Sequence, residues 1–124
     1  MRRTITAKGA PAPAGQYSQA VIGSGCVYVS GQGPFDPATK SIPEGFAAQV
    51  RQTLRNLQRI LEGAGAGLKD VVKVNAYLSD VARFAEFNEI YKEFFSADPP
   101  ARTTIGCQLV GIQVEIDCIA LLPT

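Results

Sequence analysis

Histidine is absent from the 124 residues of the chain, and so is tryptophan. Without an imidazole there can be no Ser-His-Asp triad, no Cys-His pair and no histidine-ligated metal. An imidazole acid–base step at neutral pH is excluded for the same reason. The candidates for chemistry are therefore polar residues that stand within otherwise apolar elements.

Cysteine is scarce, with Cys26, Cys107 and Cys118 only and no C-x-x-C pair. An odd number of thiols without metal-ligand spacing favours neither a disulfide framework nor a zinc site. We therefore expect reduced thiols and a cytoplasmic protein. Strand alternation places Cys107 with Ile105 and Leu109, which predicts a core thiol, with a nucleophile as the alternative. Cys26 and Cys118 are interpreted as core thiols in the same way.

Charged residues are few as well, at 19% of the chain, and 12 Lys and Arg nearly balance 11 Asp and Glu. This balance argues against nucleic-acid binding by bulk charge, although it leaves room for a local basic patch. The low charge indicates that another subunit hides part of the surface. No apolar run approaches the ~18 residues of a membrane span. Arg2-Arg3 leads into no apolar segment, so we expect no secretory signal.

Hydrophobic residues make up 46% of the chain, enough for one domain over residues 1–124 with its own core. The pattern predicts an α+β fold in which two helices pack on one face of a mixed sheet. Apolar residues at three- and four-residue steps predict helices over about 45–62 and 81–95. Strands are predicted over 3–6, 20–22, 26–30, 71–78, 102–108 and 113–122.

The strand over 71–78 sets one purely apolar row against a row that carries polar groups. The apolar row is Val72, Val74, Ala76 and Leu78. The strand over 113–122 alternates too, and its second face bears Glu115 and Asp117 among apolar residues. The apolar content of that second face is too large for open solvent. We therefore expect subunits to associate through it.

Arg102 begins a late strand directly after Pro-Pro-Ala. A guanidinium there could hold a ligand carboxylate through two parallel hydrogen bonds. The alternative is a structural salt bridge, to Glu115 or to another acid. Glu115 is a candidate base or water-orienting group, because a partly dry site raises the proton affinity of a carboxylate. Its alternative role is that of a solvent-facing or interface residue of the strand.

Three further stretches place hydrogen-bonding groups beside flexible backbone or apolar side chains. Tyr17 follows a loop rich in proline, alanine and glycine, where it could contact a ligand or anchor the loop in the core. Ser30-Gly31-Gln32 ends a strand at a glycine that lets backbone approach a ligand, or forms a simple turn. Asn88 stands within the apolar stripe of the second helix, where a buried amide needs partners.

Together these stretches resemble the RidA/YjgF family, small proteins that hydrolyse reactive enamines and imines. The likeness runs almost end to end, through seven segments in the order and spacing of the family. They are Gly15-x-Tyr17-Ser18-Gln19-Ala20, Val29-Ser30-Gly31-Gln32-x-Pro34, the helix over 49–61 with Asn56-Leu57, the strand over 71–78, Phe84-x-x-x-Asn88-x-x-Tyr91-x-x-Phe94-Phe95, Pro100-Ala101-Arg102-Thr103 and Val114-Glu115-Ile116-Asp117-x-Ile119-Ala120.

The resemblance implies a chorismate-mutase-like α+β subunit that assembles as a homotrimer. The three sheets would form a central barrel, with a cleft between each pair of neighbouring subunits. The implied activity is the hydrolytic deamination of 2-iminopropanoate, 2-iminobutanoate and similar imines, formed from enamines such as 2-aminoacrylate. The products are 2-keto acids and ammonia, and no cofactor or metal is implied.

The resemblance also implies roles for single residues. Arg102 would grip the substrate carboxylate, and Glu115 would hold the attacking water. Several of these residues would act across the interface, so that one monomer holds only part of each site. Thr104 stands where active members often carry cysteine, and the segment 107–113, which borders the cleft, lacks the usual L-P-x-G turn. The residues expected to bind substrate are Tyr17, Ser30, Gly31, Asn88, Arg102 and Thr104.

Two other functions stay open at this point. One is a non-catalytic trimer that binds small carboxylates or acts as a chaperone-like holdase. The other, also attached to the family, is an endoribonuclease or translation inhibitor, for which Arg51, Arg55 and Arg59 form a basic row. Such a row is typical of a solvated helix face. We expect a small 2-imino or 2-keto acid as the ligand, with no membrane or nucleic-acid partner.

Overall fold

A computed structural model describes all residues from Met1 to Thr124. One sheet of six strands carries two helices, in the strand order β1-β2-β3-β6-β4-β5. All neighbouring strands are antiparallel except β4 and β5, which are parallel. This mixed sheet confirms the predicted α+β class. The elements are β1 (Arg3–Ile5), β2 (Ala20–Gly23), β3 (Cys26–Gln32), α1 (Phe46–Gly63), β4 (Val71–Leu78), α2 (Phe84–Tyr91), β5 (Ala101–Gly106) and β6 (Val114–Leu121).

The hairpin between β2 and β3 turns through two residues with positive φ, Ser24 at 51° and Gly25 at 76°. A two-residue loop with both central residues in this region matches the twist of the strands that it joins. The predicted hairpin is therefore confirmed. Strand β3 extends past its predicted end at residue 30, and its pairing with β6 shifts register between Val29 and Gln32. This irregularity lies beside the candidate site.

Helix α1 packs on β3 and β6 and supplies much of the core. Its bounds agree with the predicted helix over 45–62 to within one residue. The helix ends where Gly65, at a φ of 90°, donates its N–H to the carbonyl of Glu62. Five side chains at helical spacing are fully buried against the sheet, namely Val50, Leu54, Leu57, Ile60 and Leu61.

The predicted helix over 81–95 is wrong at both ends. The carboxylate of Asp80 accepts the N–H of Ala82 and begins a separate 3₁₀ turn over Val81–Arg83. After α2, the N–H groups of Glu93 and Phe94 bond carbonyls three residues back instead of four, so the regular α-helix stops. One result is that Phe84, predicted on the inward arc, is 42% exposed.

The apolar row predicted for β4 is wrong at Val72, which is 42% exposed. Pairing with β6 shifts register between Val71 and Lys73, so the neighbouring Val71 turns into the core instead. Such an irregularity reverses the alternation locally. The rest of the row is confirmed, since Val74, Ala76 and Leu78 are buried under the helices.

All three thiols are free, but only Cys118 is buried. Burial raises the pKa of Cys118 to about 12. The prediction of core thiols is wrong for Cys26 and Cys107, which are half-buried. Strand β5 ends at Gly106, so Cys107 lies beyond the strand whose alternation placed it inside. Ile105, its expected core neighbour, is itself 46% exposed.

The face of the sheet opposite the helices is open, and it exposes several large apolar side chains. They are Tyr28, Val72, Ile105 and Leu121. An exposed apolar face of this kind is typical of an association surface. No helix of the chain is long and apolar enough to span a membrane.

The first testable prediction concerns Asn56, a buried amide in α1 that joins the helix to a loop. Its Nδ2 donates to the carbonyls of Gly33 at 3.0 Å and Phe35 at 2.9 Å. We expect Asn56→Ala to lower the free energy of unfolding by about 2 kcal/mol, because two carbonyls lose their partner. Arg55→Ala, at the exposed neighbouring position, is the control and should change it by less than about 0.5 kcal/mol.

Urea unfolding of both variants at one protein concentration measures the difference, since association would also contribute to stability. Equal midpoints for Asn56→Ala and Arg55→Ala would contradict the role given to the amide.

Candidate functional site

Arg102 and Glu115 project from opposite faces of the sheet. Arg102 pairs with Val74 in the parallel register of β5 and β4, and Val74 is fully buried under the helices. Paired residues of neighbouring strands share a face, so Arg102 also points toward the helices. Glu115 pairs with Tyr77, which alternates with that row and faces the open side. One subunit therefore brings the predicted site residues together in two groups.

The first group, the arginine cradle, consists of Arg102, Asn88 and three aromatic side chains of α2. Nη2 of Arg102 donates to Oδ1 of Asn88 at 2.6 Å, which supplies the partner expected for that amide. The ring centroids lie 4.6 to 5.7 Å from Cζ of Arg102, within the range of cation–π attraction. The rings are those of Phe84, Phe87 and Tyr91.

No acid of the same chain forms an ion pair with Arg102. The structural salt bridge considered for Arg102, to Glu115 or another acid, is therefore wrong within the subunit. Neutral groups alone hold the guanidinium, and its charge is uncompensated. Since a guanidinium has five N–H donors and Asn88 takes one of them, donors remain for a ligand carboxylate.

Two buried hydroxyls near the cradle have no hydrogen-bond partner, Tyr91 Oη and Thr104 Oγ1. Thr104 pairs with the buried Ala76 and lies two residues after Arg102 in β5, on the same face of the sheet. Burial raises the pKa of Tyr91 to about 12, although the Arg102 charge acts in the opposite direction. The Tyr91 hydroxyl is therefore neutral at physiological pH and keeps its proton available for donation.

The second group lies around a cavity of about 370 Å³ that Tyr17, Gly31 and Glu115 help to line. Prolines and alanines between residues 11 and 14 form much of the remaining wall, with Phe35 and Ile112. Tyr17 is 49% exposed, so its alternative role as an anchor in the core is wrong. Its hydroxyl accepts the N–H of Ala14 at 3.1 Å, which holds the ring at the cavity.

Glu115 is the carboxylate of this cavity, and its pKa is raised by burial and then by the charge of Asp117. Asp117 is fully engaged, since it accepts hydrogen bonds from Asn75 at 2.9 Å and from Tyr77 at 3.0 Å. No hydrogen bond of the chain lowers the pKa of Glu115. The two carboxylates thus differ in role, and the oxygens of Glu115 are free to bind water.

Gly31 permits the approach of Glu115. A Cβ at position 31 would stand 3.0 Å from Cδ of Glu115 and closer still to one carboxylate oxygen. Ser30, by contrast, does not line the cavity. Its hydroxyl donates to the carbonyl of Ser18 at 2.6 Å, which joins β3 to the loop that carries Tyr17.

Buried polar side chains that the sequence did not single out as site residues hold the walls of the cavity. Gln19 bonds the backbone of Ala7 and of Pro11. Oε1 of Gln49 accepts the N–H of Gln113 at 2.9 Å, next to Ile112 of the wall, while Asn56 holds the opposite loop. For Gln49 and Asn56 the sequence did contain a signal of this role. They form, with Thr53, a row of polar residues within the buried face of α1.

The groups available for chemistry are one free carboxylate in a partly apolar cavity and one free guanidinium on the other face. No group of three or more His, Cys, Asp or Glu residues could hold a metal ion. Both groups suit recognition of a small polar molecule through charge-assisted hydrogen bonds.

The raised pKa of Glu115 predicts a stability change with a defined sign. Burial disfavours the charged form, so this side chain destabilises the fold above its raised pKa. We expect Glu115→Gln to raise the melting temperature at pH 7. The gain should shrink as the pH falls toward the ordinary glutamate pKa of 4.5, where the wild-type side chain also becomes neutral.

Thermal melts of both proteins between pH 4 and pH 8 provide the measurement. Glu44→Gln is the matched control at an exposed position and should show no such trend. A loss of stability at pH 7 in Glu115→Gln would contradict the placement of this carboxylate.

Comparison with known proteins agrees with the motifs. Residues 7–122 match the family model described as Endoribonuclease L-PSP. A RutC family protein of Pyrococcus horikoshii is 41% identical over 123 residues, covering 97% of this chain and 98% of the relative. A rat protein named 2-iminobutanoate/2-iminopropanoate deaminase is 40% identical over 124 residues, covering 98% of this chain and 90% of the relative.

Solved structures share the fold at similar identity. RidA from the Antarctic bacterium Psychrobacter sp. matches with a TM-score of 0.93 and 42% identity, covering 97% of this chain and 99% of that one. E. coli TdcF with bound serine matches with a TM-score of 0.92 and 32% identity, covering 98% and 99%. The chain therefore belongs to the Endoribonuclease L-PSP family, which is the RidA, YjgF and RutC family that its sequence motifs resemble.

Proposed function

We propose that the protein hydrolyses 2-imino acids and their enamine tautomers to 2-keto acids and ammonia. The uncompensated guanidinium of Arg102 carries this proposal, because it is prepared for a carboxylate that its own subunit does not supply. The second support is the unpaired carboxylate of Glu115 in the cavity. The curated relative whose name is that of a 2-iminobutanoate/2-iminopropanoate deaminase supports the same reaction class.

The proposed assembly is a homotrimer with a central barrel, as in the chorismate-mutase-like arrangement. The open sheet face, with Tyr28, Ile105 and Leu121 exposed, is the surface that a second copy would cover. Because Arg102 and Glu115 lie on opposite faces of one sheet, a complete site needs the arginine cradle of one subunit and the cavity of its neighbour. Tyr17 and Gly31 belong to the cavity side, while Asn88 and Thr104 belong to the cradle side.

In the proposed reaction the enamine first tautomerises to the imine, whose C2 carbon is already electrophilic. Arg102 holds the substrate carboxylate through two hydrogen bonds and thereby fixes the position of C2. Glu115 accepts a proton from water as the water oxygen bonds to C2, and it then passes this proton to the nitrogen, which gives a carbinolamine. Glu115 next carries the proton of the C2 hydroxyl to the nitrogen, so that the C–N bond breaks, ammonia leaves and the C2 oxygen becomes the keto oxygen. The sum is one imine and one water giving one keto acid and one ammonia.

Hydrolysis of an imine needs few catalytic groups. The imine hydrolyses in water without catalysis, so holding water and substrate in the correct orientation is enough to accelerate the reaction. A carboxylate with a raised pKa is a better base than an ordinary glutamate, and this suits the single step that needs one. The lack of histidine is thus compatible with the proposed reaction.

A nuclease function receives less support from the surface. The basic row of α1 is partly engaged, because Arg51 donates to the Glu93 carboxylate at 2.9 and 2.7 Å. Arg55 and Arg59 remain exposed without an acid partner, as on an ordinary solvated helix face.

A non-catalytic carboxylate-binding trimer would use the same arginine cradle, and the activity assay below separates this alternative from the enzyme. Location in the cytoplasm stays a prediction.

Replacement of Arg102 tests the proposed reaction directly. Arg102→Ala should reduce kcat/KM for 2-aminoacrylate generated in situ by roughly 100-fold, since about 3 kcal/mol of charge-assisted hydrogen bonding is lost. Arg102→Lys should recover only part of it, because an ammonium cannot form the two parallel bonds. Disappearance of the imine is the measurement, and Arg55→Ala is the control.

No acceleration by the wild-type protein would defeat the deaminase proposal and leave the carboxylate-binding alternative. Full activity in Arg102→Ala would show that the clamp is assigned to the wrong residue.

A shared site makes a separate prediction for mixed assemblies. Arg102→Ala and Glu115→Gln are each expected to have little activity alone. If they are unfolded together and refolded, some interfaces will combine the intact Arg102 of one subunit with the intact Glu115 of another, and activity should return in part. Mixing without unfolding is the control. An inactive mixture that contains hybrid trimers would show that both residues act within one subunit.

A further inference from the structure

The cavity beside Glu115 is larger than the smallest proposed substrates require. At about 30 Å³ for each water in the liquid, a volume of about 370 Å³ corresponds to roughly twelve waters. A three-carbon imino acid has the bulk of only a few waters. In the single subunit, the cavity therefore has room for an imino acid of more than three carbons.

The wall of the cavity carries only two charged residues, Glu115 and Lys40. Lys40 forms no ion pair with any acid of the chain, and it is exposed. The surrounding wall is largely apolar, with prolines, alanines, Phe35 and Ile112. An unpaired ammonium at such a wall favours a ligand with a negative charge at some distance from the reacting carbon.

The backbone of Lys40 is held in an unusual conformation. Its φ is 65°, in the left-handed region that glycine adopts freely and that costs free energy for a residue with a Cβ. A tight turn fixes it there, since Lys40 N–H donates to the Asp36 carbonyl at 2.9 Å and Asp36 N–H donates to Ser41 at 2.8 Å. The Asp36 carboxylate accepts two further N–H groups, of Ala38 and Thr39. The turn therefore fixes the backbone position from which the Lys40 side chain extends.

We infer that Lys40 binds the distal carboxylate of dicarboxylic 2-imino acids such as 2-iminoglutarate, an inference that rests on the proposed function. Arg102 of one subunit takes the carboxylate next to C2, and Glu115 of its neighbour holds water. The ammonium of Lys40, at the wall of the same cavity, takes the second carboxylate. A flexible point charge on a long side chain suits this task, because it can follow substrates of different length.

The test compares two imines of equal chain length, 2-iminoglutarate and 2-iminopentanoate, each generated in situ by an amino-acid oxidase. The measured quantity is the ratio of their kcat/KM values. We expect Lys40→Gln and Lys40→Gly to lower this ratio about twofold to fivefold, as for an exposed ion pair. Lys40→Gly removes the charge while suiting the backbone, and Lys40→Arg keeps the charge and should keep most of the ratio. Added salt should lower the wild-type ratio too.

Lys69→Gln is the control, because Lys69 is exposed, lines no part of this cavity and forms no ion pair. Calorimetric binding of 2-ketoglutarate and 2-ketopentanoate gives the same comparison without turnover. Equal ratios in wild type and Lys40→Gly, in both measurements, would overturn the inference while leaving the deaminase function intact. No acceleration of any imine would instead overturn the proposed function, and the binding comparison would still decide the role of Lys40.

Discussion

The guanidinium of Arg102 is held by an amide oxygen and by aromatic faces, with no carboxylate of its own subunit nearby. An acid at position 88 would bind the guanidinium more tightly and would also neutralise it. An amide fixes the position of one nitrogen and leaves the positive charge in place. The aromatic rings favour a cation over a neutral group through their quadrupoles. The placement of α2, which supplies all of these groups, therefore decides whether the site can attract an anion.

The pleat of the sheet imposes the second constraint. Arg102 pairs with Val74 and Glu115 pairs with Tyr77, an odd number of positions away along β4, so the two side chains face opposite sides and cannot meet across a single sheet. Under the proposed function, the open apolar face and the divided site have one common explanation. Association hides the apolar side chains and at the same time completes the site. A subunit that covered both faces of its sheet by itself would not need to associate with another copy.

Apolar periodicity predicted α1 well, because its long buried face depends on residues within the helix itself. It failed at α2 and at Val72, where the outcome depends on particular hydrogen bonds and on register with a neighbouring strand. The sequence also marked Arg102, Asn88 and Glu115 as unusual polar residues. Their separation onto two faces depends on the pairing of β4 with both β5 and β6, which no local pattern contains. The roles of Gln49 and Asn56 likewise depend on loops that are distant in sequence.

The contact between Gly31 and Glu115 joins two strands at a point where there is space for only one side chain. Any substitution that adds a Cβ at position 31 must displace the carboxylate or shorten the residue that carries it. A larger residue at position 31 would therefore take from Glu115 its present geometry even if the rest of the fold were kept.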